Sequence, residues 1–224
     1  MERQQLARRY LDGQMGRRVF LRRLIGLGVA LPAAIAYADL LQADPVAAAA
    51  YDYYVGVQDA FVPTPLRTTS FGQTIEWGFQ GSVYTHTATD PTLVINSGPK
   101  TPWNIYDQQM SFSGTFRYRC TETIHPLMSG VVKVPMVASP LSGALGTSFT
   151  LGWSNISGLT EYSFDVQRKG PSDSLWQRWI TGTSDRAALY DPPTTGIYAF
   201  RARARNTGSG KLSGWSPVKK ITVT

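Results

Sequence analysis

The stretch GTFRYRCTETIHPLMSGVVKV, residues 114–134, joins two strand-like runs through a loop holding the chain's single cysteine, one of its two histidines and a methionine. Residues 114–120 start at a glycine and alternate aromatic with basic side chains, and residues 130–134 are rich in valine. Runs of β-branched and aromatic residues bounded by turn formers read as strands. Cys120 therefore stands at a strand end, with His125 and Met128 on the loop that follows. The other histidine, His86, lies in YTHTATD, residues 84–90, between two further strand-like stretches. Taken singly these residues are unremarkable: a lone Cys is usually a small buried hydrophobe, and a Met usually fills core space. Together they form a coherent donor set. Two imidazoles and a thiolate suit a near-trigonal arrangement around one ion, with a thioether as a weak axial contact, and soft sulfur favours Cu(I).

Working outward, residues 53–58, 66–68, 74–79, 114–120 and 130–134 read as short strands, and so do 148–153, 161–167, 175–179, 196–205 and 219–224. No stretch after residue 51 carries a helical period. Many short strands at regular spacing predict an all-β chain built from sandwiches or barrels. A change of punctuation near Ala138-Ser139-Pro140 divides residues 52–138 from 139–224. One Cys excludes an intramolecular disulfide, and with two His it excludes a zinc site of four Cys/His ligands and any multi-copper cluster.

Residues 52–138 resemble the plastocyanin/amicyanin branch of the cupredoxins. The resemblance rests on VQDAFVP (57–63), GQTIEW (72–77), HTATD (86–90), Ser97-Gly98, GTFRYRC (114–120) and HPLMSGVVKV (125–134), all in the family's order. It implies a Greek-key β-sandwich holding one copper ion through His86, Cys120, His125 and Met128. It further implies single-electron transfer by Cu(II)/Cu(I) cycling, without an enzymatic activity, and a redox protein partner docking near the exposed edge of His125 beside Pro126 and Leu127. One departure is visible: four residues separate Cys120 from His125, where amicyanin-like chains have two. Trp77, mid-strand, is expected in the core, and Trp103 is expected to pack within its loop.

Residues 139–224 resemble a fibronectin type III or related immunoglobulin-like β-sandwich, with Trp153 as a core tryptophan. In residues 196–205, Tyr198, Phe200, Ala202 and Ala204 share one strand face, and Arg201, Arg203 and Arg205 share the other. Stacked with Trp215, these arginines would make a cation–π ladder. The ladder either stiffens a solvated face or offers a basic surface to an acidic partner or anionic polymer. No paired carboxylates and no Ser/His/Asp set suggest a hydrolase.

The net charge of +7 does not signal nucleic-acid binding, because residues 1–38 alone contribute +5, residues 39–138 contribute −3 and residues 139–224 contribute +5. Residues 1–38 combine Arg17-Arg18-Val-Phe-Leu with a Gly/Ala-rich apolar stretch and small residues at Ala36 and Ala38. That layout resembles a twin-arginine export signal, cleaved or retained as an N-terminal anchor, with residues 39–51 as a spacer. The expected location is periplasmic or cell-surface, with any membrane contact confined to residues 20–41 of a retained signal. Two other readings stay open: a protein that stores or delivers copper, and an adhesion or assembly module in which copper is structural.

Overall fold

The computed structural model describes residues 17–26, 52–58, 60–62, 66–79, 84–125, 127–156 and 159–224. It divides into two compact units, residues 1–50 and 51–224. Among the described residues of the first unit, a helix, α1 (Arg17–Gly26), carries the paired arginines. The rest of the expected export signal and the expected spacer lie outside the described residues. No helix among the described residues is long and apolar enough to cross a membrane.

The second unit is entirely β among its described residues. Its first half contains β1 (Tyr53–Val57), β2 (Phe61–Val62), β3 (Leu66–Thr68), β4 (Thr74–Phe79), β5 (Asn104–Gln109), β6 (Gly114–Arg119) and β7 (Ser129–Val134). One sheet has the order β2-β1-β4-β5, with β1 and β4 parallel, and the other has the order β3-β7-β6. The second half contains β8 (Val137–Ser139), β9 (Ser142–Gly143), β10 (Phe149–Gly152), β11 (Tyr162–Lys169), β12 (Gln177–Thr183), β13 (Ala187–Tyr190), β14 (Gly196–Asn206) and β15 (Lys219–Val223). Here a three-stranded sheet, β13-β10-β8, accompanies a five-stranded one, β12-β11-β14-β15-β9. Val137–Ser139 thus pairs within the second half.

Alternation explains the faces. On β6, Phe116 and Tyr118 are buried while Arg117 and Arg119 are exposed, as a period of two requires. Opposite them on β7, Gly130, Val132 and Val134 are buried. Gly130 sits across from Tyr118, whose ring occupies the space a Cβ would take. Tyr118 then meets Phe61 and Trp77 edge-on, with ring centroids 4.8 and 5.4 Å apart. Trp77 is fully buried in this core. Each such aromatic removes enough apolar surface from water to contribute roughly 1.5–3 kcal/mol.

Trp103 behaves differently from the expectation. Its ring is 78% exposed instead of packed within the loop. The chain needs this residue's backbone: its N–H bonds to the Phe79 carbonyl at 2.6 Å, closing the connection between β4 and β5, and its φ is 68°. A left-handed turn sets the path of the chain there and leaves the indole outside.

The buried residues of the two halves form one contiguous cluster. Phe112 carries it across, 4.9 Å from the Tyr162 ring and 5.5 Å from that of Phe164. Backbone bonds weld the seam: Ser113 N–H to the Trp153 carbonyl at 2.8 Å, Asn155 N–H to that of Ser111 at 3.2 Å, and a reciprocal pair between Thr115 and Gly214 at 2.9 Å. In the second half, Tyr198 near the start of β14 donates its hydroxyl proton to the Thr194 carbonyl at 3.0 Å. Trp153 is fully buried. The expected faces of β14 are present, and Arg201 lies 4.8 Å and Arg203 4.5 Å from the Trp215 ring centroid. The membership differs from the expectation: Arg205 turns to Asp165 at 3.2 Å, and Trp176, 25 positions before Arg201, joins the stack 4.3 Å from its guanidinium.

Candidate metal centre

His86 arrives on a segment with little regular structure, held by three short-range devices. A reciprocal backbone pair joins His86 to Lys100, with bonds of 3.0 and 2.8 Å. A second reciprocal pair, both bonds 3.0 Å, joins Thr89 to Arg119 at the end of β6. That register places Thr87 opposite Thr121, and their side-chain oxygens are 3.0 Å apart, while the Thr121 N–H donates to Thr87 Oγ1 at 2.7 Å. The third device is the Asp90 carboxylate. One oxygen accepts the Thr92 N–H and hydroxyl, and the other accepts the Ile95 N–H. Asp90 is fully buried, and burial pushes its carboxyl above the ordinary range, against the opposing pull of those hydrogen bonds.

Cys120 follows directly on β6, so its position inherits the register of the β6–β7 ladder. Its N–H donates to the Met128 carbonyl at 3.1 Å, pinning the two ends of the loop. Within that loop the His125 N–H bonds to the Glu122 carbonyl at 3.1 Å and the Met128 N–H to the His125 carbonyl at 3.3 Å. These two successive tight turns lie on either side of His125, the first within the four residues that separate it from Cys120 and the second leading to Met128. They return His125 to the face of His86, with ring centroids 4.2 Å apart and planes inclined by 26°. Tyr84 meets the His125 ring edge-on at 5.7 Å.

One ring nitrogen of His86, the sulfur of Cys120 and one ring nitrogen of His125 lie within 4.8 Å of one another. His86 Nδ1 is 3.9 Å from Cys120 Sγ. Metal–nitrogen and metal–sulfur bonds of about 2.1 and 2.3 Å at 120° would separate two donors by about 3.8 Å, so this pair is at ligating distance. His86 and Cys120 are buried, and His125 is half-buried. Met128, at the loop's end, is buried. Three of the four residues singled out in the sequence, His86, Cys120 and His125, therefore bring their donor atoms together, and Met128 is tied to Cys120 through its backbone carbonyl. Their donors suit one borderline-to-soft ion such as copper.

Thr87 is a member of the site that residue types alone did not reveal. Its backbone N–H points at Cys120 Sγ, 3.4 Å away. An N–H donor at a thiolate stabilises negative charge on sulfur and fixes its direction. Its place one residue after His86 is the only sequence signal, and that becomes informative only once Thr89 is known to pair with Arg119.

No protein-family model and no curated protein matches the chain. Among solved structures, the chain is similar to the Cu(I) form of an amicyanin mutant, at 22% identity over 39% of this chain and 86% of that one, with a TM-score of 0.33. A reduced Cu(I) form of another amicyanin mutant is similar at 22% identity over 37% and 80%, with a TM-score of 0.31. A purple cupredoxin from Nitrosopumilus maritimus is similar at 18% identity over 37% of this chain and 99% of its own, with a TM-score of 0.32.

Proposed function

We propose that residues 52–138 are a cupredoxin domain that holds one copper ion and carries single electrons, and that residues 139–224 are a fibronectin type III-like domain fused to it. The observation that carries the copper reading is the convergence of His86, Cys120 and His125 donors within 4.8 Å. When bound, copper supplies one-electron chemistry, Cu(II)/Cu(I). His86 and His125 would hold it through imidazole nitrogen and Cys120 through thiolate sulfur, with the Met128 thioether as the weak fourth donor. Thr87 N–H orients the sulfur. Burial of His86 and Cys120 keeps water away from the donors and leaves the half-buried His125 as the contact to a redox protein partner. Leu127, 92% exposed, and Ile124, 57% exposed, flank that histidine in sequence and supply an apolar rim.

The same burial disfavours storage or delivery, since ready release needs accessible, exchangeable ligands. The reading is of a carrier, not an enzyme, exported to the periplasm or cell surface by the arginine-rich N-terminal segment. The fibronectin-like assignment is supported by the three-on-five sheet order and by the hydroxyl of Tyr198, which bonds back to the Thr194 carbonyl as corner tyrosines do in such sandwiches.

The decisive experiment is a visible absorption spectrum of the full chain after addition of Cu(II), repeated with Cys120→Ser. An intense thiolate-to-copper band is expected, bleached by a mild reductant, restored by an oxidant and lost in the variant. A colourless protein, or a band that survives Cys120→Ser, overturns the reading.

A further inference from the structure

The arginine ladder is the most basic feature of the second half, yet its donors are turned inward. Arg201 directs Nε and one terminal nitrogen to Gln167 Oε1, at 2.9 and 2.7 Å. Arg203 and Arg205 both bond to Asp165 Oδ2, at 2.9 and 3.2 Å. The cleft of about 420 Å³ beside them therefore contains its own carboxylate, Asp165. Two guanidiniums already lie over Trp215, which argues against a sugar or base stacking on that ring. The ladder braces the sheet.

A second cleft, of about 480 Å³, adjoins Trp215 at the seam between the two halves, and its chemistry is different. The first half contributes Thr68, Thr115, Arg117 and Lys133, and the second half contributes residues 214–217. No acidic side chain lines it, and among the described residues neither Arg117 nor Lys133 makes an ion pair. Both cations project from the outer face of the β3-β7-β6 sheet. Lys133 pairs with Thr115, so Arg117 is its diagonal neighbour across β6 and β7. Diagonal neighbours stand about 7–8 Å apart. Alternate residues of an extended peptide are separated by about 6.6 Å on one side, so two same-side carboxylates match the two cations. A single compact anion would instead want both cations on one point.

We propose that this seam cleft docks an extended acidic segment of a partner protein, with alternate carboxylates on Arg117 and Lys133. The guanidinium takes one carboxylate through its planar fork and the ammonium takes the next as a point charge. Thr68 and the chain at residues 214–217 form the walls. Binding of the acidic segment is a property of the apo and the loaded protein alike, so it stands or falls separately from the copper reading. If the partner is a redox protein, the cleft also has a useful position: Arg117 is three residues, about 10 Å of strand, from Cys120.

The chain permits a site-resolved test. Its first lysine is Lys100, so the arginine-rich N-terminal segment is silent to amide-forming cross-linking apart from the terminal amine. The full chain is mixed with octaglutamate and a water-soluble carbodiimide, and the amide-linked lysines are mapped by mass spectrometry. Lys133 is expected to dominate over Lys100, Lys169, Lys211, Lys219 and Lys220. Arg117→Gln, which keeps Lys133, is expected to cut that yield by about tenfold, because one of two paired carboxylates loses its partner. Arg186→Gln, an equal charge change at an exposed site outside the cleft, should leave it unchanged. Even labelling of all six lysines, or a Lys133 yield indifferent to Arg117→Gln, overturns the proposal. So does displacement of the peptide by polyphosphate at a lower anion concentration than by free octaglutamate, since the site would then be a phosphate-polymer site.

Discussion

At the scale of single residues, Asp90 does more than its solvent-free position suggests. It is the staple of the segment that delivers His86, satisfying two backbone amides and one hydroxyl that have no water to turn to. Asp90→Ala leaves those donors unpaired, and the expected loss is about 2 kcal/mol or more in urea unfolding. Asp90 also links stability to pH. Its carboxyl is raised chiefly by burial, so the folded state holds the proton more tightly than the unfolded chain does. The stability it contributes is fully present below the unfolded pKa and is lost as pH rises through the folded one. Asp90→Asn, which cannot titrate, should flatten the stability profile just above the ordinary carboxylate range. An unchanged profile would assign the slope to other groups. The sequence displayed His86, Cys120, His125 and Met128 because rare residue types advertise themselves. Asp90 and Thr87 were illegible because common residues gain their roles only from what they face.

At the scale of elements, strands with strong alternation were readable and weak ones were not. Residues 66–68 and 74–79 form strands as expected, β6 stops at Arg119, one residue before the expected end, and β14 runs from Gly196 to Asn206, one residue past it. β5, with the sequence NIYDQQ, escaped notice because it lies at the edge of its sheet with four polar side chains, Asn104, Asp107, Gln108 and Gln109, and an exposed Ile105. Its pairing with β4 decides it, and pairing is not a local property. β12 starts at Gln177, two residues later than expected, after a turn in which the Asp173 carboxylate accepts the Gly170 N–H. The β6–β7 ladder supplies the prediction at this scale. Gly130→Ala would drive a methyl group into the Tyr118 ring, which is itself wedged between Phe61 and Trp77. Overpacking of this kind costs about 1–3 kcal/mol, so a lowered thermal midpoint is expected. A midpoint equal to that of the parent would mean the ring has room to move.

At the scale of the whole β unit, the seam between the halves is a shared core. Phe112 belongs to the first half by sequence and packs on Tyr162 and Phe164 of the second. The segment that carries His86 is tied to the same seam, for the Thr92 carbonyl accepts the Tyr162 hydroxyl at 3.2 Å and Asn206 Nδ2 at 3.1 Å. The two halves are therefore expected to unfold together. Phe112→Ala should cost about 3–5 kcal/mol and separate one thermal transition into two. Two transitions in the parent protein, or an unaltered single transition in the variant, would count against a shared core.

The all-β class, the strand-rich runs on either side of residue 138, the two faces of β14 and the residue types His86, Cys120 and His125 could be read along the chain. These follow from side-chain chemistry and a period of two, which act along the chain and can be read from it. Only the tertiary structure decided the rest: the 3.9 Å approach of His86 to Cys120 across 34 positions, the Thr87 amide at the sulfur, Trp176 in the ladder, the exposure of Trp103 and the cleft at the seam. Each depends on the register between strands remote in sequence. A slip of one residue would present the opposite face of every strand involved, and no local pattern specifies that choice.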